Sequence, residues 1–142
     1  MGRSVKVGDT LEIKEMKGTV ETISLRSTTI RDDNGVLSNI PNSILTNNTY
    51  LQYNKKERHR VDLTIGIGLN IDIKEFETYI LDFINRQKGI LKNPKAQVFS
   101  KGINFEESTL KISFWIKDFN KKEKYKSIIT NEIRKYVNNR WK

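Results

Sequence analysis

His59 stands among Lys56, Arg58 and Arg60 and is the one histidine of a chain with no cysteine. A single imidazole cannot complete a zinc site, and with no serine motif or thiol beside it there is no nucleophile to activate. Gly66-Ile67-Gly68 follows an alternating apolar run and precedes a helical one, the setting of a dinucleotide-binding turn. The third glycine position holds Ile71, however, so the fingerprint fails and the glycines are read as easing a strand exit. Asp32-Asp33 and Glu106-Glu107 are adjacent acids in turn-like sequence; neighbours point apart and do not bracket a scissile bond, so they are read as solvated turn residues. Asn47-Asn48-Thr49 fits a glycosylation acceptor, but Met1-Gly2-Arg3-Ser4 begins no secretion signal that would expose it. One cluster carries usable chemistry. Tyr50 and Tyr53 lead into Lys55, Lys56, Arg58, His59 and Arg60, and aromatic rings beside cations suit base stacking and phosphate neutralisation on single-stranded nucleic acid. The competing reading is a hydrophobic strand end followed by a solvated connector.

These residues must be positioned by one or two small domains. A length of 142 residues, 36% hydrophobic and 30% charged, can bury a core and describes a soluble, folded chain. Without cysteine it has no disulfide framework, thiolate zinc site or iron–sulfur cluster, and no run reaches the roughly 18 apolar residues of a spanning helix. No catalytic residue, cofactor or metal site is expected, and the chain is not read as an enzyme. The net charge of +9 comes from 26 basic and 17 acidic residues. Residues 1–55 hold seven of the basic and six of the acidic residues, so the remainder carries net +8 and most of the field that would attract anions.

The first 55 residues read as short strands. Leu11 and Ile13 alternate with polar residues, a second run passes from Gly18-Thr19-Val20 through Ile23 and Leu25, and Thr28-Thr29-Ile30 is a third β-branched patch. Asp33-Asn34-Gly35 predicts a tight hairpin in which Asn-Gly supplies positive φ, and Pro41 closes the next strand. Four or five strands by residue 54 imply a small barrel or strongly bent sheet. About 50 residues without disulfide or metal lie near the lower limit of independent folding, so self-association or docking is expected. After the connector, Val61, Leu63, Ile65, Ile67 and Leu69 alternate as a strand. Asp72 and Glu75 resemble a capping box opening a helix with Ile73, Phe76, Tyr79, Ile80, Phe83 and Ile84 on one face, stopped near Gly89. A weaker strand over 95–101 and an alternating one through Leu110, Ile112, Phe114 and Ile116 predict a hairpin. A last helix from near Asn120 carries Tyr125, Ile128, Ile129, Ile133, Tyr136 and Val137. The order β-α-β-β-α is the split βαβ pattern of ferredoxin-like sandwiches without its final strand. The expected class is α+β, with domains at 1–55 and 56–142.

Val7-Gly8-Asp9, Gly18-Thr19-Val20, Ile23, Ser27-Thr28-Thr29, Arg31, Gly35 and Ile40-Pro41-Asn42, taken in one register, resemble the β-domain signature of the small-conductance mechanosensitive channel family. The α/β order behind them is similar to the domain that follows in that family. Asn34 stands where the family commonly has aspartate, and Gln52-Tyr53-Asn54 replaces Asn-Tyr/Phe-Ser, which alters the side chains able to bond at that strand end. The resemblance implies an Sm-like β-domain with structural positions Gly8, Gly18, Val20, Thr28, Gly35, Ile40, Pro41 and Asn42, followed by a ferredoxin-like domain. It implies the cytoplasmic vestibule of a cell-membrane channel that releases ions and small osmolytes on hypoosmotic stress, assembled as a homoheptamer through β-domain edges and joined to the membrane by preceding helices that this pore-less segment lacks. In that setting Lys121, Lys122 and Lys124 would bias which ions collect at the vestibule openings. Residues 1–7 are expected to be a cut end, with Met1 to Lys6 loosely held. An Sm-like nucleic-acid-binding module is the alternative; nucleic acid is not the expected partner.

Overall fold

The computed structural model describes residues 4–55 and 57–140. The chain divides into two compact units, residues 1–57 and 58–142. The first has strands β1 (Thr10–Ile13), β2 (Met16–Ile23), β3 (Ser27–Arg31) and β4 (Leu37–Pro41), a one-and-a-half-turn helix α1 (Asn42–Asn47), and β5 (Leu51–Tyr53). All pairings are antiparallel in the order β4-β3-β2-β1-β5. Among the described residues β4 and β5 do not pair, so the sheet is open: the bent-sheet alternative is realised, not a closed barrel. Alternation places Leu11, Ile13, Val20, Ile30 and Ile40 in one core, with Val5, Met16, Ile44, Leu45 and Tyr50 packed around it. The run expected through Ile23 and Leu25 does not stay inside. The ladder shifts register between Val20 and Thr22, and such a bulge breaks the two-residue period. Ile23 is half exposed, and Leu25 lies at 94% exposure in the turn before β3.

The Asn-Gly hairpin also differs from expectation. Only Gly35 takes positive φ (+82°). Its N–H donates to the Asp32 carbonyl (3.0 Å), and the Asp32 side chain accepts from the N–H groups of Asn34 and Val36 (2.9 Å each). The turn is thus an ordinary β-turn followed by a left-handed glycine, with Asp32 serving as its internal brace. Helix α1 has no counterpart in the sequence reading, because six residues are too few to establish a helical period. The loose tether expected for Met1 to Lys6 is overturned where it can be seen: Val5 packs on the core and the Lys6 N–H donates to the Asp9 carboxylate (3.0 Å), while residues 1–3 lie outside the described residues.

The second unit follows the predicted order: β6 (His59–Gly68), α2 (Ile73–Asn85), β7 (Gln97–Ile103), β8 (Glu107–Ile116) and, after a 3-10 turn at Phe119–Lys121, α3 (Lys122–Arg140). The antiparallel sheet runs β6-β8-β7, with β8 central, the strand order of a ferredoxin-like sheet in which β6 remains an edge. Asp72 caps α2, its carboxylate accepting from the Glu75 N–H at 3.1 Å, but the helix ends at Asn85, four residues before Gly89. The 3-10 turn that leads into α3 is capped by Asp118, whose carboxylate accepts from Asn120 N–H (3.1 Å), and α3 itself begins at Lys122, two residues past Asn120. Leu69, expected to extend the β6 pattern, lies past the strand and is half exposed. Phe76, Ile80 and Ile84 of α2, and Tyr125, Ile129, Ile133 and Tyr136 of α3, meet Val61, Ile67, Leu110, Ile112, Phe114 and Ile116 of the sheet. Both helices therefore cover one sheet face. Among the described residues no helix is long and apolar enough to cross a membrane.

Candidate functional site

The signature residues of the first unit occupy two bonded knots and one close backbone approach. At the first knot, Gly8 adopts φ +97° and its N–H donates to the Val20 carbonyl (2.9 Å), while the Val20 N–H donates to the Asp9 carbonyl (2.8 Å). This turns the chain into β1 and leaves the Asp9 carboxylate 2% exposed. A buried carboxylate is costly unless its lone pairs are filled. Here one oxygen accepts from Lys6 N–H and the Gln52 amide (3.0 Å each), and the other from Lys55 N–H (3.1 Å). Gln52, at the strand end where the chain departs from the family pattern, therefore still bonds across the sheet. A side chain at Gly8 would oppose both its φ and the Lys55 stem 2.9 Å away.

The second knot surrounds Asn42. Its N–H donates to the Arg26 carbonyl (2.8 Å), its amide donates to the carbonyls of Ser24 (3.0 Å) and Leu25 (3.2 Å), and its amide oxygen accepts from the Thr28 hydroxyl (2.8 Å). One side chain thus supplies the partners of the β2–β3 turn and secures it to the end of β4. Pro41 suits the place before it, since it sits at the strand end with φ −56°. Ile40, paired with Thr28, points into the core. Gly18 meets the neighbouring backbone directly, because a Cβ there would stand 2.7 Å from the Arg31 carbonyl oxygen. Arg31 in turn donates to the Glu21 carboxylate and to the Gly35 carbonyl (2.7 Å), and the bond to Glu21 holds that carboxyl below its usual range.

The second unit carries the predicted lysines at one place. Lys121 ends the 3-10 turn, Lys122 begins α3 with its ammonium 5.5 Å over the Phe119 ring, and Lys124 is exposed one residue past Glu123. Cations at a helix N-terminus face the positive end of the helix dipole, so the lysine charge and the dipole add to one positive field. The aromatic–basic stretch from Tyr50 to Arg60 is not one surface patch of a single element. Tyr50 packs on the first unit's core and the Tyr53 hydroxyl donates to Glu12 (3.4 Å), whereas His59 and Arg60 begin β6, His59 edge-on to Phe119 at 5.4 Å. Gly66 lies against the Glu107 side chain in the sheet, a packing role with no phosphate cradle. Glu106 and Glu107 follow Asn104, whose side-chain oxygen accepts both their N–H groups (2.8 and 2.9 Å). No group of three or more metal-ligating side chains occurs among the described residues.

Residues 1–55 match the family model described as "Mechanosensitive ion channel, beta-domain", which defines the class of the first unit. An MscS family protein of Aquifex aeolicus is 31% identical over 133 residues, covering 91% of this chain and 36% of that protein. The small-conductance mechanosensitive channel of Helicobacter pylori is 27% identical over 112 residues, covering 79% of this chain and 41% of its own length. The crystal structure of Helicobacter pylori MscS in its closed state superposes with a TM-score of 0.71 at 26% identity, over 92% of this chain and 52% of that one. The chain belongs to the MscS family of mechanosensitive channel proteins. It spans about two-fifths or less of the two curated relatives named here.

Proposed function

We propose that the chain forms part of the cytoplasmic vestibule of a tension-gated channel that releases ions and small osmolytes on hypoosmotic stress, with residues 1–55 and 56–142 as its two working domains. The observation that carries this reading is the bonded signature of the first unit followed, in family order, by the α/β unit, a likeness extending over 92% of the chain. The first unit contributes the subunit contacts of a homoheptamer: five short strands in an open sheet make β4 and β5 its edge strands. Gly8, Gly18, Val20, Thr28, Gly35, Ile40, Pro41 and Asn42 keep those edges in a fixed shape. Membrane attachment belongs to helices outside this sequence. Lys121, Lys122 and Lys124, reinforced by the dipole of α3, attract anions to the vestibule openings.

Two measurements on the full-length gene product test this. Its expression in cells stripped of their own mechanosensitive channels is expected to restore survival of hypoosmotic downshock and tension-activated currents in patches; absence of both overturns the channel reading. Replacing Lys121, Lys122 and Lys124 by glutamate should shift the reversal potential toward cation preference with little change in gating tension, and an unchanged reversal potential removes the lysines from ion selection.

A further inference from the structure

The face of the β6-β8-β7 sheet opposite the helices is built unlike an ordinary solvated sheet surface. Alternation sends Leu110, Ile112, Phe114 and Ile116 inward and the intervening residues of β8 outward, and those are Lys111, Ser113 and Trp115. The ladder brings Arg60 opposite Trp115 from β6, and Gln97 opposite Ser113 and Phe99 opposite Lys111 from β7. Together with Pro94 and Lys95 they line a concavity of about 290 Å³. That volume is at the small end for organic ligands.

Its chemistry is paired and directional. Trp115 lies at one end, with the Arg58 guanidinium 5.9 Å from its ring centre; Phe99 lies at the other, with the Lys111 ammonium at 5.1 Å. Trp115 and Lys111 are four residues apart on β8, roughly 13 Å at the strand rise. That is the span from a stacked heterocycle to the phosphate of one nucleotide once the lysine stem is allowed its reach. The neighbouring acid, Asp62, is already engaged, ion-paired with Arg60 (3.2 Å) and accepting from the Ser113 hydroxyl (2.7 Å). Lys95 and Lys111 therefore leave this concavity positive. An aromatic ring with cations close by suits a ligand that is flat and apolar at one end and anionic at the other.

We propose that this concavity binds a nucleoside monophosphate, its base against Trp115, its phosphate at Lys111 and its sugar over Gln97. The site lies wholly within the second unit, and its occupancy does not depend on the channel reading.

The test uses the 142-residue chain carrying Trp141→Phe, which leaves Trp115 as the sole tryptophan. Adenosine 5′-monophosphate is expected to quench Trp115 fluorescence saturably at millimolar concentration or below, and in wild-type chain to shift the Trp115 indole and Gln97 amide resonances. Inorganic phosphate and adenosine, each lacking one half of the ligand, should bind at least about tenfold more weakly. Lys111→Met, which keeps the aliphatic stem and removes the charge, should weaken adenosine monophosphate about tenfold while leaving adenosine binding unchanged. The proposal is overturned by the absence of a saturable response, or by inorganic phosphate binding as well as the nucleotide. It is also overturned if a short oligothymidylate binds far more tightly per nucleotide with a steep salt dependence, which would make the face a polynucleotide surface.

Discussion

The two units solve the same problem, holding an antiparallel sheet in shape, with different means. Among the described residues the second buries sixteen hydrophobic residues from strands β6 and β8, both helices and the connecting segments, enough that pattern and volume dominate its energetics. The first has five fully buried core residues. It holds its turns instead with groups that have few substitutes: an aspartate filled by three donors, an asparagine serving three backbone partners and a hydroxyl, and glycines at positive φ or hard against a carbonyl oxygen. A large core tolerates exchange of one apolar side chain for another of like volume, whereas a small one depends on individual bonds and close approaches. The match to the family's β-domain model falls on this first unit.

The largest expected effect breaks the comparison from the side of the large core. Phe76 of α2 is fully buried and edge-on to Tyr136 at 5.4 Å. Phe76→Ala should cost about 3–5 kcal/mol in urea unfolding of the second unit, with amide resonances of residues 8–53 unshifted. A loss under about 1 kcal/mol would show that this core is not what holds the unit together.

A pair of glycine substitutions sharpens the contrast at intermediate size. Gly18→Ala places a methyl against the Arg31 carbonyl and should cost about 1–3 kcal/mol. Gly102→Ala in β7 meets nothing within 4 Å and lies outside the positive-φ region, so it should be neutral or stabilising by about 0.4–1 kcal/mol. Equal destabilisation at both sites, read by thermal melts of the two variants side by side, would remove the distinction between irreplaceable and incidental glycines.

The smallest effect concerns charge. Glutamate at 121, 122 and 124 places anions at the start of α3 and should raise the second unit's stability by about 0.3–1 kcal/mol per charge at low ionic strength. The gain should fade as salt screens it. Destabilisation by these exposed replacements would mean the lysines serve packing instead of field.

Much of this protein was determined by its sequence alone, wherever neighbouring residues carry the cause. Alternation in β6 and β8, the apolar faces of α2 and α3, the Asp72 cap and the end of β4 at Pro41 are local, because period, capping and proline chemistry act within a few residues. The signature positions were legible as a pattern, and so was the α+β order. Their physical duties were not. That Asp9 collects donors from Lys6, Gln52 and Lys55, or that Asn42 secures a turn 16 to 18 residues earlier, follows from strand pairing across the sheet. The bulge that exposes Ile23, the opening of the sheet between β4 and β5, and the division of the Tyr50–Arg60 stretch between two units were likewise decided by tertiary structure. The basic and aromatic face of the second unit is the clearest instance. Arg60, Phe99, Lys111 and Trp115 are separated in sequence by up to 55 positions and carry no motif; only the ladder registers of β6, β7 and β8, set by the burial of the opposite face, bring them onto one surface.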